Sequence, residues 1–149
     1  MTLHDQSILL VEDNADDVLL MKRAMHKANL ANPLHVVEDG EQAVAYLAGE
    51  GRYADRAAYP LPVLVLLDLK LPRRSGLEVL QWVRQQPGLK RLRVVVLTSS
   101  NQKSDIDRAY ELGANSYLIK PGTFDSLLEM MKAVGLYWML TSEKPDLAP

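Results

Sequence analysis

Polar and apolar positions along this chain repeat in one order: a short apolar run, then a longer stretch with helical spacing. The runs cover residues 7–11, 34–37, 63–67, 93–97 and 116–119. The third, from Val63 to Leu67, is continuous and does not alternate. A strand buried on both faces reads like that, and such strands belong to parallel sheets covered by helices. Between the runs, residues 18–28 place Leu19, Leu20, Met21, Ala24, Met25 and Ala28 on or near one helical face. Residues 42–47 turn Ala43, Val44 and Leu47 inward. Arg73-Arg74-Ser75-Gly76 opens a helix with Leu77, Val79, Leu80 and Val83 on its apolar side, and Pro87-Gly88 ends it. Ser104 is the expected cap of a fourth helix, with Ile106, Ala109 and Tyr110 inward and Gly113 as its stop. Thr123 starts the last helix, which runs to about residue 140. Residues 49–60 show no clean period, carry breakers at both ends, and read as an extended connection.

Strand and helix thus alternate five times. This order predicts an α/β fold, a doubly wound five-stranded parallel sheet with right-handed crossovers and helices on both faces. A chain of 149 residues has room for one such domain with a real core and hardly for two. The domain is expected over residues 7–141, after a loose N-terminus (1–6) and before a polar tail (142–149). A net charge of −2 gives no basic field toward nucleic acid or an anionic membrane. The absence of cysteine excludes disulfides, cysteine zinc sites and thiol catalysis. No apolar run reaches transmembrane length and no signal-peptide core is present, so a cytoplasmic location is the default expectation. His4, His26 and His35 show no ligand spacing and read as surface or helix-side residues.

The chemistry gathers where the runs end. Glu12 and Asp13 end the first, Asp68 the third, Thr98 the fourth and Lys120 the fifth. In a sheet of order 2-1-3-4-5, strands 1, 3, 4 and 5 are neighbours, and ligands bind outside their carboxyl ends. Three carboxylates, a hydroxyl and an ammonium then share one site. Crowded carboxylates repel, and an all-oxygen set of this kind suits Mg²⁺. Taken singly, each residue has a plainer reading. Asp68 could cap its strand or pair with a surface arginine. Glu12 and Asp13 could be solvated loop charges, Thr98 a loop hydroxyl, and Lys120 half of a surface ion pair. It is their succession at strand ends that points to a site.

The ordered set Glu12-Asp13, Asp68 in Leu-Leu-Asp-Leu-Lys-Leu-Pro, Gly76, Thr98-Ser99 and Lys120-Pro121 resembles the receiver domain of two-component response regulators. The resemblance covers about residues 7–140 and implies the flavodoxin-like receiver fold. The extra residues between Leu47 and Val63, the Leu-Pro after Asp68 and the pair Tyr137-Trp138 are most similar to the phytochrome-associated single-domain response regulators. The resemblance implies Asp68 as phosphoacceptor, receiving its phosphoryl group from a sensor histidine kinase, here a phytochrome. It implies Mg²⁺ on Asp13, Asp68 and the backbone carbonyl of Lys70, with Glu12 acting through water. Thr98 would donate to a phosphoryl oxygen, Lys120 would pair with the group, and the Lys120–Pro121 bond is expected to be cis. Tyr117 would be the aromatic switch that follows Thr98. Lys70 departs from the neutral residue many members carry there, and a cation so close is expected to alter attack by water. Gly122 stands where an apolar residue is common.

The last helix places Phe124, Leu127, Leu128, Met131 and Val134 on a core face, and residues 136–140 are apolar all round. A helix end of that kind needs covering on every side. Either the tail folds back over it or a second chain covers it. The resemblance implies pairing through helix 4, strand 5 and helix 5, so Tyr110, Tyr117, Tyr137 and Trp138 are expected in a homodimer interface there. Output is expected by protein–protein contact, with no nucleic acid and no membrane. Three rivals stand beside this reading. An Asp-nucleophile phosphohydrolase usually needs a second carboxylate two residues on, where this chain has Lys70. A nucleotide or flavin binder needs a glycine- or hydroxyl-rich loop after the first strand, where this chain has Glu12-Asp13-Asn14. A receiver-like scaffold that is never phosphorylated is the third.

Overall fold

A computed structural model describes the backbone of residues 6–141 and the side chains of residues 6–135. Tyr137, Trp138 and His4 fall outside the described side chains, as do residues 1–5 and 142–149. The described chain runs β1 (Ile8–Val11), α1 (Ala15–Lys27), β2 (Leu34–Val37), α2 (Gly40–Ala48), β3 (Leu64–Leu67), α3 (Gly76–Gln85), β4 (Arg93–Thr98), α4 (Lys103–Glu111), β5 (Ser116–Ile119) and α5 (Phe124–Thr141). The strands form one parallel sheet of order β2-β1-β3-β4-β5, as the alternation predicts.

Side chains of a strand alternate between faces, so each run feeds two cores. Leu9, Val11, Val65, Leu67, Val94 and Val96 point to the layer of α2, α3 and α4. Ile8, Leu10, Leu64, Leu66 and Leu97 point to α1 and α5. Both faces are covered, which is why the runs are apolar throughout. Four helix starts are set by a short polar side chain. Asn14 Oδ1 accepts from the Asp17 N–H at 3.0 Å, Asp39 Oδ1 from Gln42 at 2.8 Å, Ser75 Oγ from Glu78 at 3.2 Å and Thr123 Oγ1 from Ser126 at 3.1 Å.

Five local expectations need correction. α4 begins at Lys103, so Ser104 lies inside its first turn and does not cap it. Gln102 holds the cap position with no side-chain bond, and Ser100 braces the loop before it: its Oγ donates to Asp105 and accepts from the Gln102 N–H at 3.4 Å. Tyr110 is 50% exposed, because the inward stripe of α4 runs through Ala109 and its neighbour at 110 turns outward. Leu19 and Leu20 are exposed too, since Met21, Ala24 and Met25 at spacings of three and four take the buried stripe of α1. The stretch after α2 is not extended. Residues Gly51–Ala54 make a 3₁₀ turn that buries Tyr53. Tyr53 lies 5.1 Å from both Tyr46 and Tyr59 between ring centroids, and His35 lies 5.9 Å from Tyr46. Arg56 closes this lobe by donating to the carbonyls of Tyr46 (2.8 Å), Leu47 (2.9 Å) and Tyr59 (3.1 Å). His35 is thus half-buried in an aromatic cluster, not a plain surface residue.

Candidate functional site

The sheet's register assembles the site. Val11 pairs with Leu67, and Leu67 with Val96. The next residues, Glu12 and Asp68, therefore emerge side by side, and the Asp68 N–H donates to the Val11 carbonyl at 3.1 Å. β4 runs on to Thr98, and the Lys120 N–H donates to the Thr98 carbonyl at 2.8 Å, which fixes where the lysine leaves β5. The carboxylate oxygens of Glu12, Asp13 and Asp68 lie within 4.8 Å of one another. Glu12 and Asp68 are buried and Asp13 is exposed.

Asp68 is held on both oxygens. Its Oδ1 accepts from the Leu69 N–H at 2.7 Å and the Lys70 N–H at 3.4 Å, and its Oδ2 from the Lys120 ammonium at 3.0 Å. The backbone behind it is pinned by Gly76, whose N–H donates to the Leu69 carbonyl at 2.8 Å. A Cβ at Gly76 would fall 2.1 Å from the Asp68 carbonyl oxygen, so only glycine lets α3 start this close. The Lys70 side chain is exposed.

Lys120 is the hub. Its ammonium donates to Glu12, to Asp17 at 2.9 Å and to Asp68 at 3.0 Å. Burial alone would lower its pKa, but the bonds to these three carboxylates outweigh that and raise it. Burial pushes Glu12 up from its ordinary value, opposed by Lys120 and by the Asn14 N–H on its Oε2 at 3.1 Å. Glu12, Asp17 and Asp68 bond this ammonium and Asp13 lies beside two of them, so negative charge is in excess. The donors are all oxygen, and one carboxylate stays open to solvent. Such a set fits a hard divalent cation.

The Lys120–Pro121 bond is trans, against the expectation of a cis bond. The trans form is the lower in energy, and from it Lys120 already reaches Asp68. Thr98 is fully buried at the end of β4, and its Oγ1 accepts from the Ser100 N–H at 3.4 Å. Tyr117 is half-buried, and its hydroxyl donates to the Ser100 carbonyl at 2.9 Å. Thr98 and Tyr117 thus share the loop between β4 and α4. Tyr110 stands beside them on α4, with its hydroxyl accepting from the Tyr117 N–H at 3.1 Å.

Asp17 is a site residue that the sequence alone does not single out, because an aspartate in the first turn of a helix is accounted for by the helix's positive end. It lies in the first turn of α1, close after the end of β1, and its carboxylate meets Lys120 at 2.9 Å.

The comparisons with known proteins agree with this geometry. The family model described as the response regulator receiver domain matches residues 8–132. Response regulator Rcp1 of Synechocystis sp. is 38% identical over 138 residues, which are 93% of this chain and 92% of Rcp1. The crystal structure of the Mn²⁺-bound form of Rcp1 superimposes with a TM-score of 0.84, over 94% of this chain and 99% of that one. The phosphorylated cyanobacterial phytochrome response regulator RcpA gives a TM-score of 0.87 at 38% identity, over 95% of this chain and 99% of its own. RPA3017, a response regulator in red light signaling of R. palustris, gives 0.89 at 35% identity, covering 94% and 98%. With a family model over most of its length, relatives matched nearly end to end, and an acidic cluster where the parallel strands stop, this chain belongs to the response regulator receiver domain family.

Proposed function

We propose that the chain accepts a phosphoryl group on Asp68 and signals by protein contact. The observation that carries this is the convergence of Glu12, Asp13 and Asp68 on one point, with Lys120 already bonded to Asp68. Asp68 would attack the phosphorus of a kinase phosphohistidine through a carboxylate oxygen. The new O–P bond forms as the N–P bond breaks, and its electron pair returns to the imidazole. Asp13, Asp68 and the Lys70 carbonyl would hold Mg²⁺, with Glu12 reaching it through water. Bound there, the ion supplies charge neutralisation for the transferred group. Lys120 would pair with a phosphoryl oxygen and Thr98 would donate to another. Thr98 and Tyr117 share a loop, which supports their reading as the switch that answers phosphorylation.

A receiver domain works with a histidine kinase. That the kinase is a phytochrome, in the cytoplasm, rests on the similarity to Rcp1 and RcpA. The homodimer is proposed on α4, β5 and α5, where Tyr110 and Ile119 are 50% and 44% exposed beside Tyr117. The phosphohydrolase reading lacks its second acid, since Lys70 occupies that position.

The deciding experiment is the intact mass after incubation with acetyl phosphate, with and without Mg²⁺, alongside Asp68→Asn. One added phosphoryl group that needs both Mg²⁺ and Asp68 is expected. No adduct, under conditions that label another receiver domain, would leave the unphosphorylated scaffold as the better reading.

A further inference from the structure

Lys120 has three N–H bonds and three carboxylate partners. Two of those partners, Glu12 and Asp68, belong to the acidic cluster that suits a cation. Asp17 does not. It stands in the first turn of α1, and among the described residues its carboxylate bonds to Lys120, at 2.9 Å. Once a cation and a phosphoryl group draw on Glu12 and Asp68, Asp17 is the remaining carboxylate that holds the lysine.

We propose that Asp17 is a positioning residue for phosphoryl transfer. It fixes one ammonium N–H toward α1, so that another is aimed at Asp68 before the phosphoryl group arrives. A lysine on a four-carbon stem otherwise spends its freedom among many rotamers, and preorganised charge is worth most when it need not reorganise during reaction. The bond itself is charge-assisted and short enough to select one rotamer. This inference rests on Asp68 being the acceptor, but the orientation of Lys120 can be read without phosphorylation.

The test combines two measurements. The first is the rate of Asp68 phosphorylation by acetyl phosphate for wild type, Asp17→Ala, Lys120→Ala and the double variant. Asp17→Ala should slow the reaction by about ten- to a hundredfold, up to the scale of a catalytic group misplaced by about 1 Å. In the Lys120→Ala background it should change nothing further, because Asp17 acts only through that lysine. The second is the ¹H–¹⁵N signal of the Lys120 ammonium in unphosphorylated protein, which should be protected from solvent exchange in wild type and lost in Asp17→Ala. Asp17→Asn, which keeps the side-chain shape, replaces Asp17→Ala throughout if the alanine variant does not fold. A wild-type rate in the Asp17 variant overturns the proposal. So does an equal slowing with and without Lys120, which would mark a purely structural role for Asp17. If wild type takes no phosphoryl group at all, the reading of Asp68 fails separately. The role in phosphoryl transfer then falls with it, and the ammonium signal decides only whether Asp17 orders Lys120: persistence in the Asp17 variant overturns that ordering, and loss sustains it.

Discussion

At Gly76 a single methyl group is enough to disturb the site. Its Cβ would meet the Asp68 carbonyl oxygen at 2.1 Å, and that oxygen is backbone, which cannot swing aside. Gly76→Ala should therefore cost about 1–3 kcal/mol, as overpacking does, and shift the urea midpoint down accordingly. An unchanged midpoint would show that α3 retreats freely. His35 gives a second test. Burial against Tyr46 and Tyr59 holds its pKa below the ordinary 6.5. The unfolded chain then binds the proton first, so stability should fall as the pH drops below 6.5 toward the folded value. His35→Phe keeps a ring in the cluster and should flatten that part of the Tm-against-pH curve. An identical curve would remove His35 as a cause. Residue by residue, Glu12, Asp13, Asp68, Thr98 and Lys120 were legible because each polar group ends an apolar run. Asp17 was not, because its direction depends on how α1 leaves β1, which no local pattern records.

Among elements, α3 and the turn before β5 are tied by one guanidinium. Arg84 donates to the Leu92 carbonyl at 2.6 Å and, through Nη2, to the Gly113 carbonyl at 2.7 Å, and it also reaches Lys90 and Asn115. Gly113 sits at φ 96°, with Arg84 against the place a Cβ would take. Arg84→Met should cost about 2–3 kcal/mol, because the carbonyls lose a charged donor. Arg84→Lys should recover little of it, since an ammonium has no planar fork to span several carbonyls. Chemical denaturation of the two variants checks both statements, and a lysine variant as stable as wild type would contradict the second. The five strands and five helices were legible from apolar runs and helical spacing. The lobe after α2 was not, because its core consists of three tyrosines and a histidine from separate elements, at spacings with no period. The same lobe pushes the Tyr46 phenol up to about 12, chiefly by burial.

For the whole molecule, strand order was legible once the alternation was read as a parallel sheet, since handed crossovers leave few topologies. Association was legible only in part. The proposed two-fold contact draws on exposed Tyr110 and Ile119, and α5 contributes residues outside the described side chains. Sedimentation at micromolar concentration should find a dimer for wild type and a monomer for Ile119→Arg. A monomeric wild type, with and without phosphorylation, would sink the contact. β5 has a further property as the rim of the sheet. Its Tyr117 N–H faces away from β4, where an incoming strand from another chain would dock, and the Tyr110 hydroxyl already occupies that donor at 3.1 Å. An unsatisfied rim of a sheet seeds edge-to-edge pairing with a strand of another chain. α4 therefore also serves as a selvage, the finished border that keeps a woven edge from taking up new thread. Tyr110→Phe would keep the ring and open that border, leaving a protein that folds as before but polymerises on storage.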